Sequence, residues 1–229
     1  SLTETGAVAL NQAIEEGAGA GTYKIKIVPA AATEDSITGS LTGAALIRLN
    51  QADRVTIDGS YGGSGKYLIF QNKFATTTTA ALQVSDGGST TNGCQNVTIK
   101  NCVFAGANVL PTNTTISVGV SVSGSGGPVS GGGLHDNLTI DSCNFYGLYY
   151  GIYAVGNNPR EYQNLKIRWN TIGSIDRIIR YRGIYLSGAN RALISNNTIF
   201  GIENTSITQL EGMYIGGNFT NSRIDANNI

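Results

Sequence analysis

Three tyrosines recur in one frame, within "GIY" at 151–153, "GIY" at 183–185 and "GMY" at 212–214. A phenol ring offers an apolar face to the flat side of a sugar and a hydroxyl to its polar edge. Corresponding positions in earlier segments hold Arg48, Gln83 and Ser121. Two residues further on, the same face would carry Asn50, Ser85, Ser123, Val155, Ser187 and Gly216. Tyr153, Tyr185 and Tyr214, flanked by Arg48, Gln83 and Ser187, therefore make a candidate sugar platform. The rings also have a purely structural reading, because cross-strand aromatic pairs contribute about 0.2–1 kcal/mol each to a sheet.

A second group is basic. "SIDRIIRYRG" places Arg177, Arg180 and Arg182 close together, with Arg160 and Arg168 nearby. A guanidinium fork matches a carboxylate or sulfate in two-point contact, so these arginines form a candidate anion site. Solvated loop charge, partly paired with Asp176 and Glu161, is the alternative.

Catalytic chemistry finds no foothold in the same columns. Glycoside hydrolysis needs two acids about 5 to 9.5 Å apart, and neither outward column holds a carboxylate. Asp86, Asp176 and Glu211 fall on different segments and in loops. No catalytic residue is assigned. His135 is the only histidine, next to Asp136, and no G-x-S-x-G turn accompanies it. Cys94, Cys102 and Cys143 have no zinc-ligand spacing, and "GGSG" lacks the lysine of a phosphate loop. No metal and no cofactor are expected.

The composition narrows the partners. Fifteen acids balance fifteen bases over 229 residues, leaving no basic surface to track a phosphate backbone, so nucleic acid is not an expected partner. Only 13% of residues are charged, against roughly 25% in ordinary domains, while glycine is abundant. That balance favours a turn-rich β protein. No apolar run reaches the roughly 18 residues of a membrane helix, so no membrane insertion is expected. The opening "SLTETGAVALNQ" lacks the order of a signal peptide, which suggests a processed or excised chain.

The elements that must hold these groups repeat. Six segments align on Ile57, Ile99, Ile140, Ile167, Ile194 and Ile224. Val55, Val97, Leu138, Leu165, Ala192 or Ser222 precedes each by two, and Gly62, Phe104, Phe145, Ile172, Ile199 or Ile229 follows by five. Alternate residues share one face of a strand, so each segment supplies an inward row, a tight corner and a second short strand. The tyrosine run ahead of it makes a third. Three short strands per coil, with extra length confined to loops, describe a chain winding around an axis. Three residues past each isoleucine stand Ser60, Cys102, Cys143, Asn170, Asn197 and Asn227. Asparagine suits a left-handed corner, and stacked amides can bond along the axis. Residues 8–17 read either as a short helix ending on Gly17 or as a degenerate first strand. The Gly/Ser-rich stretch from Ser123 reads as an exposed excursion.

This pattern resembles the right-handed parallel β-helix proteins of the pectate-lyase-like superfamily, whose second turn carries such an asparagine ladder, over about residues 46–229. The resemblance implies an all-β fold of about six to seven coils. It also implies one domain over 1–229, with an irregular first coil or cap at 1–45. That superfamily holds lyases, hydrolases, adhesins and passive spikes, and its enzymes project their working groups from the strand that carries the tyrosines here. Its lyases usually need acids holding calcium beside an Arg or Lys base, an arrangement absent from this face. Residues 2–12 and 45–72 look like β-helical segments of very large secreted bacterial surface proteins. This second likeness implies a secreted or cell-surface location and, with the last copy stopping in mid-coil, a segment of something longer. The expected role is a non-catalytic carbohydrate-binding or adhesion module whose partner is a polysaccharide or surface glycan. A polysaccharide lyase or glycoside hydrolase and a passive stalk are the alternatives. A groove walled by loops 105–118 and 173–182 over the tyrosines would separate them.

Overall fold

A computed structural model describes residues 2–4, 8–11, 24–89, 91–107, 109–110, 112–156 and 162–229. Its strands assemble into three seven-stranded sheets and one of three strands, every neighbouring pair parallel. The tyrosine sheet runs from Val8–Asn11 through Tyr150–Val155 and Arg182–Ser187 to Glu211–Ile215. An isoleucine sheet runs from Ile25–Ile27 to Arg223–Asp225, and a phenylalanine sheet from Leu2–Glu4 to Thr198–Ile199. The chain visits the three in turn and then starts again one strand along, which is a parallel β-helix. Val8–Asn11 is a strand paired with Ala45–Asn50, and residues 12–23, onto which the alternative helix would extend, lie outside the described residues.

The isoleucines form one vertical file. Ile27 pairs with Ile57, and the line continues through Ile99, Ile140, Ile167 and Ile194 to Ile224. From Ile57 to Ile194 the file is buried. Opposite it, Phe70, Phe104 and Phe145 stack with ring centres 5.3 and 5.2 Å apart. Gly62 was expected at the head of this second file, and Phe70 occupies it instead. The cause is a tight loop closed by Tyr61 and Ser64, which delays the strand to Leu68–Asn72.

The recurring glycine of "GIY" has a packing origin. A Cβ on Gly119, Gly151 or Gly183 would stand 2.6 Å from the carbonyl oxygen of the glycine on the next coil. Adding one there would force the coils apart.

The corners are turned one residue earlier than expected. Asn101, Ser142, Trp169, Asn196 and Ala226 take positive φ, each just ahead of the ladder position. A second left-handed corner precedes the isoleucine strand, at Arg54, Asn96, Asn137, Asn164, Arg191 and Asn221. Because its neighbour makes the turn, the ladder amide is free to lie along the axis. Asn170 Nδ2 donates to Asn197 Oδ1 at 2.9 Å, and Asn197 Nδ2 to Asn227 Oδ1 at 2.9 Å. Each amide also donates to the carbonyl of Ile140, Ile167 or Ile194. Such full satisfaction is what a buried amide requires. Cys102 and Cys143 occupy the same file as free, buried thiols. Outside, Asp58 meets Lys100 at 3.2 Å and Asp141 meets Arg168 at 2.6 Å across neighbouring strands.

Candidate functional site

Alternation along the strands of the tyrosine sheet decides which side chains reach its outer face. Ile152, Ala154, Ile184 and Leu186 are fully buried inward, so Tyr153 and Tyr185 point out. Arg48, Gln83, Ser121, Tyr153, Tyr185 and Tyr214 are register partners in a single outward file. The rings of Tyr153 and Tyr185 lie 5.1 Å apart and 9° from parallel, those of Tyr185 and Tyr214 4.8 Å and 10°. Faces in contact sit about 3.5 Å apart, so each ring is displaced sideways by roughly 3 to 4 Å from the next. The strip is stepped like slats rather than flat, and presents partial faces and hydroxyl edges.

Four of the six residues in this file bond to a covering segment. The glycine-rich segment after Ser123, expected to stand away from the coil, lies down on it. Gln83 Nε2 donates to Ser123 Oγ at 3.0 Å and to Gly126 O at 3.2 Å, and Ser121 Oγ bonds Pro128 O. Tyr153 OH reaches Val129 O at 3.0 Å, and Arg48 Nη2 reaches Ser125 O at 2.8 Å. The physical reason is complementarity, since a segment rich in glycine carbonyls finds a column of donors. Gln83 is therefore buried and committed to the loop, while Tyr185, Tyr214 and Ser187 stay partly open. His135 pins the far end of the segment. Its Nδ1 accepts from Cys94 N–H at 3.1 Å while Nε2 faces Ser123 O at 3.0 Å, which fixes a neutral ring protonated on Nε2. Burial pushes its pKa down to about 4.

The three arginines separate. Arg182 lies on the tyrosine sheet, its guanidinium carbon 4.2 Å from the Tyr181 ring centre and 4.3 Å from that of Tyr214, with Nε paired to Glu211. Arg180, only 3% exposed, turns to the other side and donates to Ser117 Oγ at 2.9 Å and Thr115 O at 3.2 Å. Arg177 rests 4.2 Å over the Tyr146 ring and donates to Gly106 O at 3.1 Å. The expected single cluster is thus two places, because Arg182 opens the strand Arg182–Ser187 while Arg177 and Arg180 belong to the bend ahead of it.

Arg177 and Arg180 belong to a groove of about 710 Å³ at the corner between the phenylalanine and tyrosine sheets. Ala107, Val109, Leu110, Thr112 and Asn113 form one wall and residues 175–178 another, with Glu203 from the next coil. Buried Gly147 and Arg180 form the floor, while Leu110 and Ile175 stand exposed at the rim. Asn204 Nδ2 donates to Asn113 O at 3.3 Å, tying the last coil's loop to the first wall. The two predicted loops do wall a groove, but none of the tyrosines of the file lines it. Glu203, Leu110 and Ile175 carried no sequence signal, since loops of unequal length bring them together.

The family model described as right handed beta helix region matches residues 92–229, more than half of the chain. The protein belongs to that right-handed β-helix family. No curated protein and no solved structure matched it.

Proposed function

We propose that this β-helix is a non-catalytic glycan-binding module of a secreted or cell-surface protein, and that Tyr185 and Tyr214 are its principal sugar contacts. The observation that carries this reading is the stepped pair of rings 4.8 Å apart, with Ser187 alongside and Arg182 behind them. Such a face is rigid, because each ring is held by its neighbours and by the strand below. A rigid aromatic surface loses little conformational entropy on binding a chain of sugars. Neither tyrosine-sheet column carries a carboxylate, and among the described residues no group of three or more His, Cys, Asp or Glu side chains gathers to hold a metal. Both features favour holding a glycan over cleaving one.

Titration with a panel of neutral and acidic oligosaccharides, wild type against Tyr185→Ala, tests the reading. Binding that falls about ten-fold or more in the variant supports it, the scale expected from losing 1.4 kcal/mol or so of ring contact. Absence of binding by wild type across the panel would refute it. Appearance of cleaved product would replace binding with catalysis.

A further inference from the structure

The corner groove has a charge that its own surroundings do not answer. Among the described residues, no carboxylate pairs with Arg177 or Arg180. Arg180 reaches only neutral acceptors, the carbonyls of Gly147 and Thr115 and the Ser117 hydroxyl, and its Nε has no partner. A buried guanidinium without an anion is costly, and burial accordingly pulls the pKa of Arg180 down to about 10.

The walls above this floor are of another kind. Leu110 is 73% and Ile175 87% exposed, both on the rim. Large aliphatic side chains left in water beside a cleft mark a contact site more than scattered ones do. Asp176 and Glu203 stand exposed on the same groove, and no cation pairs with either among the described residues. The groove thus combines buried positive charge at its base with exposed apolar side chains and carboxylates along its walls.

We propose that this groove captures the C-terminus of a partner polypeptide ending in an apolar residue preceded by a basic one. The terminal carboxylate lies against Arg177 and Arg180, the last side chain sits between Leu110 and Ile175, and the basic side chain meets Asp176 or Glu203. Charge-assisted bonds to the carboxylate supply the orientation, a mode in which the chain end itself is recognised. An acyl chain also carries a carboxylate on an apolar body. It needs an enclosed apolar cavity, however, and this groove is open and edged with acids. The site is independent of the tyrosine file, so either can fail without the other.

The test is fluorescence anisotropy with a labelled Gly-Ser-Lys-Leu peptide bearing a free carboxylate, compared with its C-terminal amide. The carboxylate form should bind, and the amide about ten-fold or more weakly, the scale of one charge-assisted contact. Arg177→Gln should bring the carboxylate form to the level of the amide, and Ile175→Ser, at an exposed position, should weaken both. Tyr185→Ala should change neither. Arg180 joins two loops, so its own substitution is left out of the test. Equal binding of acid and amide, or no binding of either at millimolar concentration, overturns the proposal. Displacement of the peptide by decanoate at equal or lower concentration assigns the groove to an acyl ligand and overturns it as well.

Discussion

Arg182 and Glu211 are register partners on adjacent strands of the tyrosine sheet, and their ion pair holds a guanidinium between the rings of Tyr181 and Tyr214. Arg182 is largely buried while Glu211 keeps about a third of its side chain in water, 10% against 35% exposed. The cation thus does inside the protein what a ligand cation would do in an aromatic cage.

Arg182→Met keeps an apolar stem and removes the guanidinium. The expected loss is about 1–3 kcal/mol of unfolding free energy, from cation–π contact and from leaving Glu211 without its partner. Arg182→Lys should recover only part, because an ammonium lacks the planar surface that lies against two rings. Urea unfolding measures both, and an unchanged midpoint in Arg182→Met would remove the contact from the account of this face.

The asparagine ladder predicts a graded response. Asn197→Ala strands the backbone N–H and one of the two side-chain N–H groups of Asn170, and takes a donor from the carbonyl of Ile167, all bonded to it now. Each stranded buried group costs about 1–3 kcal/mol, so the variant should be severely destabilised. Asn227→Ala, at a half-buried position of the last coil, should cost clearly less. Equal midpoints for the two in denaturant titration would contradict an axial amide chain.

His135 predicts acid sensitivity. Its folded pKa of about 4 lies below its ordinary value of 6.5, so the unfolded chain binds the proton more readily. Its stabilising share is complete above about pH 6.5, declines as pH falls toward 4, and is then gone, a loss of about 3 kcal/mol at most. Asp58 acts lower still. Burial opposes its charge, yet hydrogen bonds from Asn101 and Ser60 and the Lys100 ammonium hold it at about 2, so its share is lost as pH drops from about 4 toward 2. Stability measured from pH 7 to 4 should fall steeply in wild type and more shallowly in His135→Gln.

The glycine-rich cover should be separable from binding. Gln83→Ala deletes the donor that holds the carbonyls of Gly126 and Gly127. Limited proteolysis should then cut within 124–133 faster than in wild type, while affinity at Tyr185 and Tyr214 stays the same. A parallel fall in glycan affinity would place the cover inside the binding face.

What the sequence disclosed was whatever repeats. Ile140, Ile167 and Ile194 stand 27 residues apart and stack as the spacing requires, and the tyrosine file follows from strand alternation alone. The hidden parts depend on segments of unequal length. Phe70 entered a file where Gly62 was expected because the loop at 61–67 has no counterpart in later coils. The stretch after Ser123 reads as polar and free, and only the stacking of Gln83 under Ser121 creates the donors that draw it down. The separation of Arg180 from Arg182 rests on where the bend at 175–181 gives way to the strand, a boundary that spacing does not fix. The groove needs Leu110, Ile175 and Glu203 from three coils, and no pairwise spacing encodes that meeting.

Since each strand of the tyrosine sheet bonds only to those directly above and below it, inserting one more 27-residue coil between existing ones would lengthen the molecule without disturbing its cross-section. Whatever the outer face grips would then be measured in whole steps, as on a ruler. Descent by duplication would tune reach while leaving chemistry alone.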